Sequence, residues 1–423
     1  MLNFSKLPGS ILSIGEQGIL SLYSFLVMAI SARVLGQGDF GQFGLLWNLY
    51  PIMLLLLTAG LTKPLSLVYP MATQEVKDKQ EKFMATIAMG GWWIILTSAM
   101  LFICSIYLSM DSIAPWLAGV GLLAVRMIHE LHRRMYFAKQ QILDVLFHGI
   151  KIHFLSIFFM PLVCYLLFTL EFKLDLVSYT AGIWLLLLIP SVFHLKKNLY
   201  GLSELKENSD VWSGLFIYGK PLIIAASIEI ACKRIAPYVM AISAGALEAG
   251  AWAVGRLLVG PSQLILLGII NSALPQLRHC YAKGDLLMAS AKYFQNVTLV
   301  LVLYMLPLVA IFVFAEWFIH LIIGEVYVGA VETLKIYCAA FIIMGIGSLL
   351  SLYLNALGEV RQQVPMSFAS SIVYVIGLIH ILGNKGGATS VAGLAFVSEV
   401  VSLAVLIFFV VKLKRKNSNL EIA

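Results

Sequence analysis

"SARVLGQGDFGQF", residues 31–43, carries at Gly36–Gly41 the G-x-G-x-x-G spacing of a dinucleotide-binding turn. Such a turn follows a β-strand and opens the helix of a β–α–β unit. Here the residues before it form an apolar run of more than twenty, starting just after Lys6, and a second apolar run follows. A run of that length spans a bilayer as a helix and exceeds the apolar core of a signal peptide, so it reads as a retained first helix. The fingerprint therefore lies between two spans and holds no nucleotide. Its glycines make a tight turn, with Asp39 placed to cap the second span.

The rest of the chain has the same character. Of 423 residues, 60% are hydrophobic and 12% charged, about half the charged share of a soluble domain. One core cannot hide that much apolar surface, so the expected class is an all-α integral membrane protein. Twelve apolar runs long enough to span fall at roughly 9–34, 41–70, 83–108, 113–137, 142–168, 176–195, 214–242, 251–280, 290–315, 331–356, 365–383 and 388–413. Barrel strands would instead alternate over about ten residues. The cysteines (Cys104, Cys164, Cys232, Cys280, Cys338) are single, odd in number and set in apolar stretches, which suits packing and not a disulfide framework or zinc site.

Charge sets the orientation. One set of loops, with both termini, carries eighteen Lys and Arg, among them Lys77, Lys79, Lys82, Arg133, Arg134, Lys196, Lys197, Lys283 and Lys412. The opposite set carries three: Arg33, Lys173 and Lys385. The positive-inside rule puts both termini in the cytoplasm. It also accounts for most of the net charge of +7, so the basic balance is no sign of nucleic acid.

The polar linker 196–210 separates six spans from six. The expected division is a six-helix bundle over 1–197, a cytoplasmic linker over 198–212, a second bundle over 213–414 and a tail over 415–423. The halves echo one another: "SAGALEAGAW" (243–252) stands where residues 31–43 stand in the first half. Long second spans end at Pro70 and Pro275, and "YFAKQQ" (136–141) matches "NALGEVRQQ" (355–363). Both halves start on the same side, a parallel repeat of the kind that places substrate between halves.

No catalytic arrangement appears, and no cofactor is expected. "GLFIYGKP" (214–221) approaches a P-loop, but Pro221 stands where a Ser or Thr must hold magnesium, and no strand precedes it. His129, His132, His148 and His153 cluster with mixed spacing among arginines, which does not suit a metal. Trp92, Trp93, Trp116, Trp184, Trp212, Trp252 and Trp317 fall near span ends and read as interface anchors.

Charges inside spans are the informative feature, because each costs about 2.5–3.5 kcal/mol on insertion scales. Basic residues at such depth are Lys63, Arg126, Lys151, Lys220, Lys233, Arg234, Arg256 and Lys335, against fewer acids, chiefly Glu16, Glu229 and Glu399. Arg126, Glu130, Arg133 and Arg134 make one stripe on the fourth span. Asp144, His148 and Lys151 answer on the fifth, either as an internal ion-pair lock or as part of a site. On the seventh span Glu229 and Lys233 are spaced i, i+4 and are expected to neutralise one another. Lys63, Lys220 and Arg256 lie near span ends, where snorkelling is the alternative. Arg126, Lys220, Arg234, Lys233, Arg256, Lys63 and Lys151 are the candidates for an anionic substrate, with Glu16 and Glu229 as candidates for gating or ion coupling.

"ISARVLGQGDFGQFGLL" (30–46), "IIGEVYVGAVETLKIYCAAF" (322–341) and "LNALGEVRQQ" (354–363) resemble the polysaccharide-transporter branch of the MATE/MOP superfamily, in particular the Wzx-type O-antigen flippases. The resemblance covers nearly the whole chain in order and spacing. It implies two six-helix bundles and a central cavity lined by spans one, two, seven and eight. Lys63, Lys220, Lys233, Arg234 and Arg256 fall on those spans; Arg126 and Lys151 do not. It also implies alternating access that carries an undecaprenyl-pyrophosphate-linked oligosaccharide from the cytoplasmic to the outer leaflet of a bacterial inner membrane. The implied partners are that lipid-linked sugar, membrane lipids and other surface-glycan assembly proteins. A cation-coupled drug exporter of the same fold and a lipid II flippase are the alternatives. Buried acids would favour the first of these, and additional helices the second.

Overall fold

The computed structural model describes residues 9–62, 64, 73–89, 130, 219–220, 222–224, 226–357 and 363–422. Among the described residues the regular structure is helical throughout, with no strand. They are α1 (Gly9–Val34), α2 (Gln37–Leu57), α3 (Gln74–Met89), α4 (Ala236–Ala244), α5 (Ala246–Ala282), α6 (Leu286–Val300), α7 (Leu306–Val313), α8 (Ala315–Ile322), α9 (Val331–Ala356), α10 (Gln363–Asn384) and α11 (Ala388–Ile422). Among the described residues, six helical segments are long and apolar enough to cross a membrane: 37–61, 246–270, 286–313, 325–356, 363–384 and 388–413. Large apolar side chains such as Phe312, Phe368, Ile379 and Phe408 point outward from them, as a lipid-facing surface requires.

Among the described residues, three wide π-helical turns interrupt the helices, at Thr58–Thr62, Ile230–Arg234 and Leu301–Met305. Each is followed closely by a proline: Pro64, Pro237 and Pro307. A proline inside a helix has no N–H for the carbonyl four residues back, and its ring crowds that carbonyl. For these three the crowded carbonyls belong to Gly60, Lys233 and Leu303, each inside its π turn. Widening to i→i+5 bonding accommodates one extra residue and relieves the clash.

The described residues pack as two units, one drawn from 42–227 and the other from 9–41 with 228–422. In the first, Tyr50 Oη donates to Glu130 Oε2 at 3.5 Å, and both side chains are buried. Gly219 backs onto the Thr58–Thr62 turn, where a Cβ would stand 3.1 Å from the Gly60 carbonyl oxygen. On α3, Lys79 Nζ meets Glu75 Oε1 at 2.7 Å, and that contact holds the exposed Glu75 carboxyl below its ordinary range.

In the second unit α5 is the central element, packed against α1, α6 and α9, while α11 lies on α9 and α10. Ser21 on α1 donates to the Pro261 carbonyl of α5 at 3.3 Å. Gly255 lets α9 approach α5: a Cβ there would be 3.0 Å from Thr333 Cγ2 and 3.1 Å from Tyr337 Cδ2. Ala273 and Leu277 of α5 meet Leu352 and Ala356 of α9 at the far end, with Tyr281 and Tyr293 against them. Trp252, expected at an interface, is 4% exposed in this packing. Cys232 is half-buried and Cys280 and Cys338 are buried, all three free.

The Gly36–Gly41 turn joins α1 to α2, and α2 begins earlier than expected. Gly36 accepts the first helical bond, from Phe40 N at 2.8 Å. Asp39 thus sits inside the first turn, where its charge suits the helix dipole but where it does not cap. The counterpart in the second half aligns residue by residue: Gly36 with Gly245, Asp39 with Glu248, Gly41 with Gly250 and Phe43 with Trp252.

Candidate functional site

The Pro237-induced turn changes which charges meet. On a regular helix Glu229 would face Lys233; on a π turn the neighbour on the same face is i+5. Glu229 Oε1 accordingly pairs with Arg234 at 3.2 Å. Lys233 is freed toward α11, where its Nζ lies 3.8 Å from Glu399 Oε1 and 5.9 Å from the Tyr374 ring centroid of α10. The expected Glu229–Lys233 pair is thus replaced by two others. Both are partly solvent-exposed, so neither is a dry ion pair.

Arg256 completes the cluster from α5. Its guanidinium carbon sits 5.3 Å from the Phe341 ring centroid and 5.9 Å from that of Tyr337. Gly255 allows Tyr337 so close, and Phe341 is held from behind. Tyr304, fully buried, donates its hydroxyl to the Phe341 carbonyl at 2.5 Å, and Gly345 leaves room for the Tyr304 ring. Arg256 and Arg234 lie within electrostatic reach of one another, and Glu399 feels Lys233, Glu229 and Arg234. Three cations thus face two carboxylates. Both carboxylates are engaged with Lys233 and Arg234, and Arg256 has only aromatic faces within contact among the described residues. Such a group, forked, planar and short of an anion, suits a carboxylate or phosphate ligand.

The remaining candidates divide plainly. Lys220 is described and exposed, and belongs to the unit of 42–227. Lys335 on α9 is exposed and stands apart from the cluster's contacts. Glu16 lies on α1, its side chain outside the described part. Lys63, Arg126 and Lys151 lie outside the described residues. Glu399 and Tyr374 are the members that site reasoning from sequence left out. Glu399 carried a signal, as an acid inside an apolar span, but nothing local tied it to Lys233. No group of metal-ligating side chains occurs among the described residues.

No protein-family model matches the sequence, and no curated protein does. Solved structures do. An inward-facing multidrug resistance MATE transporter of the MOP superfamily superposes with a TM-score of 0.71 at 13% identity, over 96% of this chain and 99% of that one. An outward-facing MATE transporter gives 0.67 at 15% identity, over 97% and 95%. A MOP superfamily transporter from Pyrococcus furiosus, described as having a binding pocket of reverse polarity that suggests a different function, gives 0.66 at 14%, over 96% and 95%. The fold is therefore the one seen in the MATE transporters of the MOP superfamily.

Proposed function

We propose that this chain is a flippase for a lipid-linked oligosaccharide carried on undecaprenyl pyrophosphate, an O-antigen or similar surface-glycan unit. It moves that unit from the cytoplasmic to the outer leaflet by alternating access. The observation that supports this most is the cationic excess at Lys233, Arg234 and Arg256, with Arg256 carrying no carboxylate partner among the described residues. Pyrophosphate presents clustered negative charge and planar oxygen edges to such groups. The Lys/Arg asymmetry of the loops supports an orientation with both termini cytoplasmic, and the undecaprenyl carrier of the proposed substrate implies a bacterial inner membrane. Lys220, Arg126, Lys63 and Lys151 add to the same sign of charge, and Glu16 and Glu229 are the groups for gating or ion coupling. The cation-coupled exporter is the second reading. It is favoured by the carboxylates Glu229 and Glu399, both of which are already held by basic residues.

Gene deletion with lipid extraction tests the proposal. Undecaprenyl-linked repeat units accumulate on the inner leaflet, and surface glycan falls. Unchanged glycan with heightened drug sensitivity refutes it in favour of the exporter. In complementation, neutral variants of Arg126, Lys220 and Arg234 lower glycan export at unchanged protein level. Normal export by all three refutes the cationic site at those positions.

A further inference from the structure

The three segments 32–41, 246–250 and 321–330 are far apart in sequence and meet at the ends of their helices within one unit. Each meeting satisfies groups that a helix end leaves open. At the end of α8, Gly324 (φ 118°) closes the helix, its N–H and that of Ile323 both bonding to the Ile319 carbonyl. The carbonyls of Leu321 and Ile322 are left over, and Arg33 takes both: Nη2 donates to Leu321 at 2.5 Å and Nε to Ile322 at 2.7 Å. At the end of α1, the Ala32 carbonyl accepts from Tyr327 Oη at 3.4 Å, and the Tyr327 ring meets Phe40 edge-on at 5.8 Å. At the start of α11, Glu248 accepts from Ala388 N at 2.7 Å.

Between these links two backbones cross with no side chain interposed. A Cβ on Gly41 would collide with the Ala246 carbonyl oxygen and stand 2.7 Å from Gly250 N; one on Gly250 would stand 2.5 Å from the Gln37 carbonyl oxygen. Gly41 and Gly250 are repeat counterparts, so the crossing joins equivalent points of the two halves. The glycine crossing itself has no interdigitated side chains to unpack, and the buried Phe40–Tyr327 ring pair beside it parts with the latch. Arg33 is exposed and Gln37 half-buried, so water can replace their hydrogen bonds. Such a contact separates without disturbing the buried α5–α9 packing.

The geometry points to a releasable latch. Arg33, Tyr327 and the Gly41–Gly250 crossing hold the α1–α2 corner onto α5 and residues 321–330 in one transport state and part in the state open on that side. This side is opposite the basic loops, so the latch faces outward under the proposed orientation. The inference rests on the chain being an alternating-access transporter, but not on which substrate it carries.

The Gly38 and Ala246 Cβ positions lie 3.9 Å apart, within disulfide reach. The full chain is expressed in its native membrane with Gly38→Cys and Ala246→Cys together and a protease site in the linker 196–210. Oxidation is expected to keep the cleaved halves joined on a non-reducing gel and to stop glycan export, and reduction to restore it, while either single variant shows no response. Failure to join, or export continuing with the halves joined, overturns the latch. A second arm is independent of substrate: Ala32→Cys is labelled by a membrane-impermeant maleimide added outside. Adding Arg33→Ala raises labelling about tenfold, the population shift expected from losing a charge-assisted contact, and the oxidised Gly38→Cys/Ala246→Cys pair suppresses it. Unchanged labelling, or labelling only from the cytoplasmic face, overturns the latch. If glycan export is absent in the wild type but labelling moves as stated, the substrate reading fails and the latch stands.

Discussion

Arg256→Met separates a binding role for the guanidinium from a packing role. The substitution keeps an unbranched, flexible apolar stem and discards the guanidinium and its charge. It forfeits two ring contacts, at 5.3 and 5.9 Å, each worth about 0.5–2 kcal/mol. It also removes a half-buried cation without a carboxylate partner among the described residues, within electrostatic reach of Arg234. A fully buried unpaired charge costs several kcal/mol, and partial exposure reduces that figure. The two effects oppose and cancel to within about 2 kcal/mol, so the melting temperature stays within roughly 5 °C of wild type. On the proposed function, binding of undecaprenyl pyrophosphate falls much further. One charge-assisted contact, about 1.5–3 kcal/mol, corresponds to a roughly 10- to 150-fold loss of affinity. Tryptophan-fluorescence melting in detergent and titration calorimetry with the lipid on the same preparation read both quantities. A large drop in melting temperature with affinity unchanged refutes the reasoning and makes Arg256 a packing residue.

Glu399→Gln leaves the Lys233 ammonium beside Arg234 without its partner at 3.8 Å and destabilises by about 1–3 kcal/mol, less than a fully buried pair. Adding Lys233→Met recovers most of that loss in thermal melting, and additive effects of the two would count against the pair. Pro237→Ala restores the N–H that the Lys233 carbonyl lacks, so the turn can tighten and carry Arg234 away from Glu229. The Glu229–Arg234 coupling, measured by double-mutant cycle, then drops below about 0.3 kcal/mol. Gly345→Ala places a Cβ about 2.5 Å from Tyr304 Cε1, and overpacking of that kind costs about 1–3 kcal/mol. Its melting temperature falls, and an unchanged value would mean that the Tyr304 ring has room to move.

The membrane class and the order of spans were legible because lipid demands long apolar helices, whose signal is local. The sequence places spans near 290–315, 331–356 and 388–413, and the helical segments lie at 286–313, 325–356 and 388–413. The decoy at Gly36–Gly41 was also legible, from its flanks. The charge pairing was not. Glu229 and Lys233 follow the helical spacing rule, and only the π turn upstream of Pro237 diverts them to Arg234 and Glu399. The proline is visible in the sequence, but whether a helix answers it by kinking or by widening depends on the packing around it. The Lys233–Glu399 pair and the Arg33 clamp join residues remote along the chain, and no local pattern announces either. Arg33 read only as one of three basic residues on the sparse side, yet it closes the end of another helix.

Each of the three π turns stores one residue more than a regular helix of the same rise. A single deletion within 58–62, 230–234 or 301–305 can be absorbed by tightening the turn, leaving the downstream faces in phase. The same deletion elsewhere in these helices would rotate everything after it by about 100°. Relatives of this fold that lack the bulges should therefore differ by one-residue gaps inside helices, just ahead of Pro64, Pro237 and Pro307. Comparisons that forbid gaps there would pair Lys233 and Arg234 with the wrong positions.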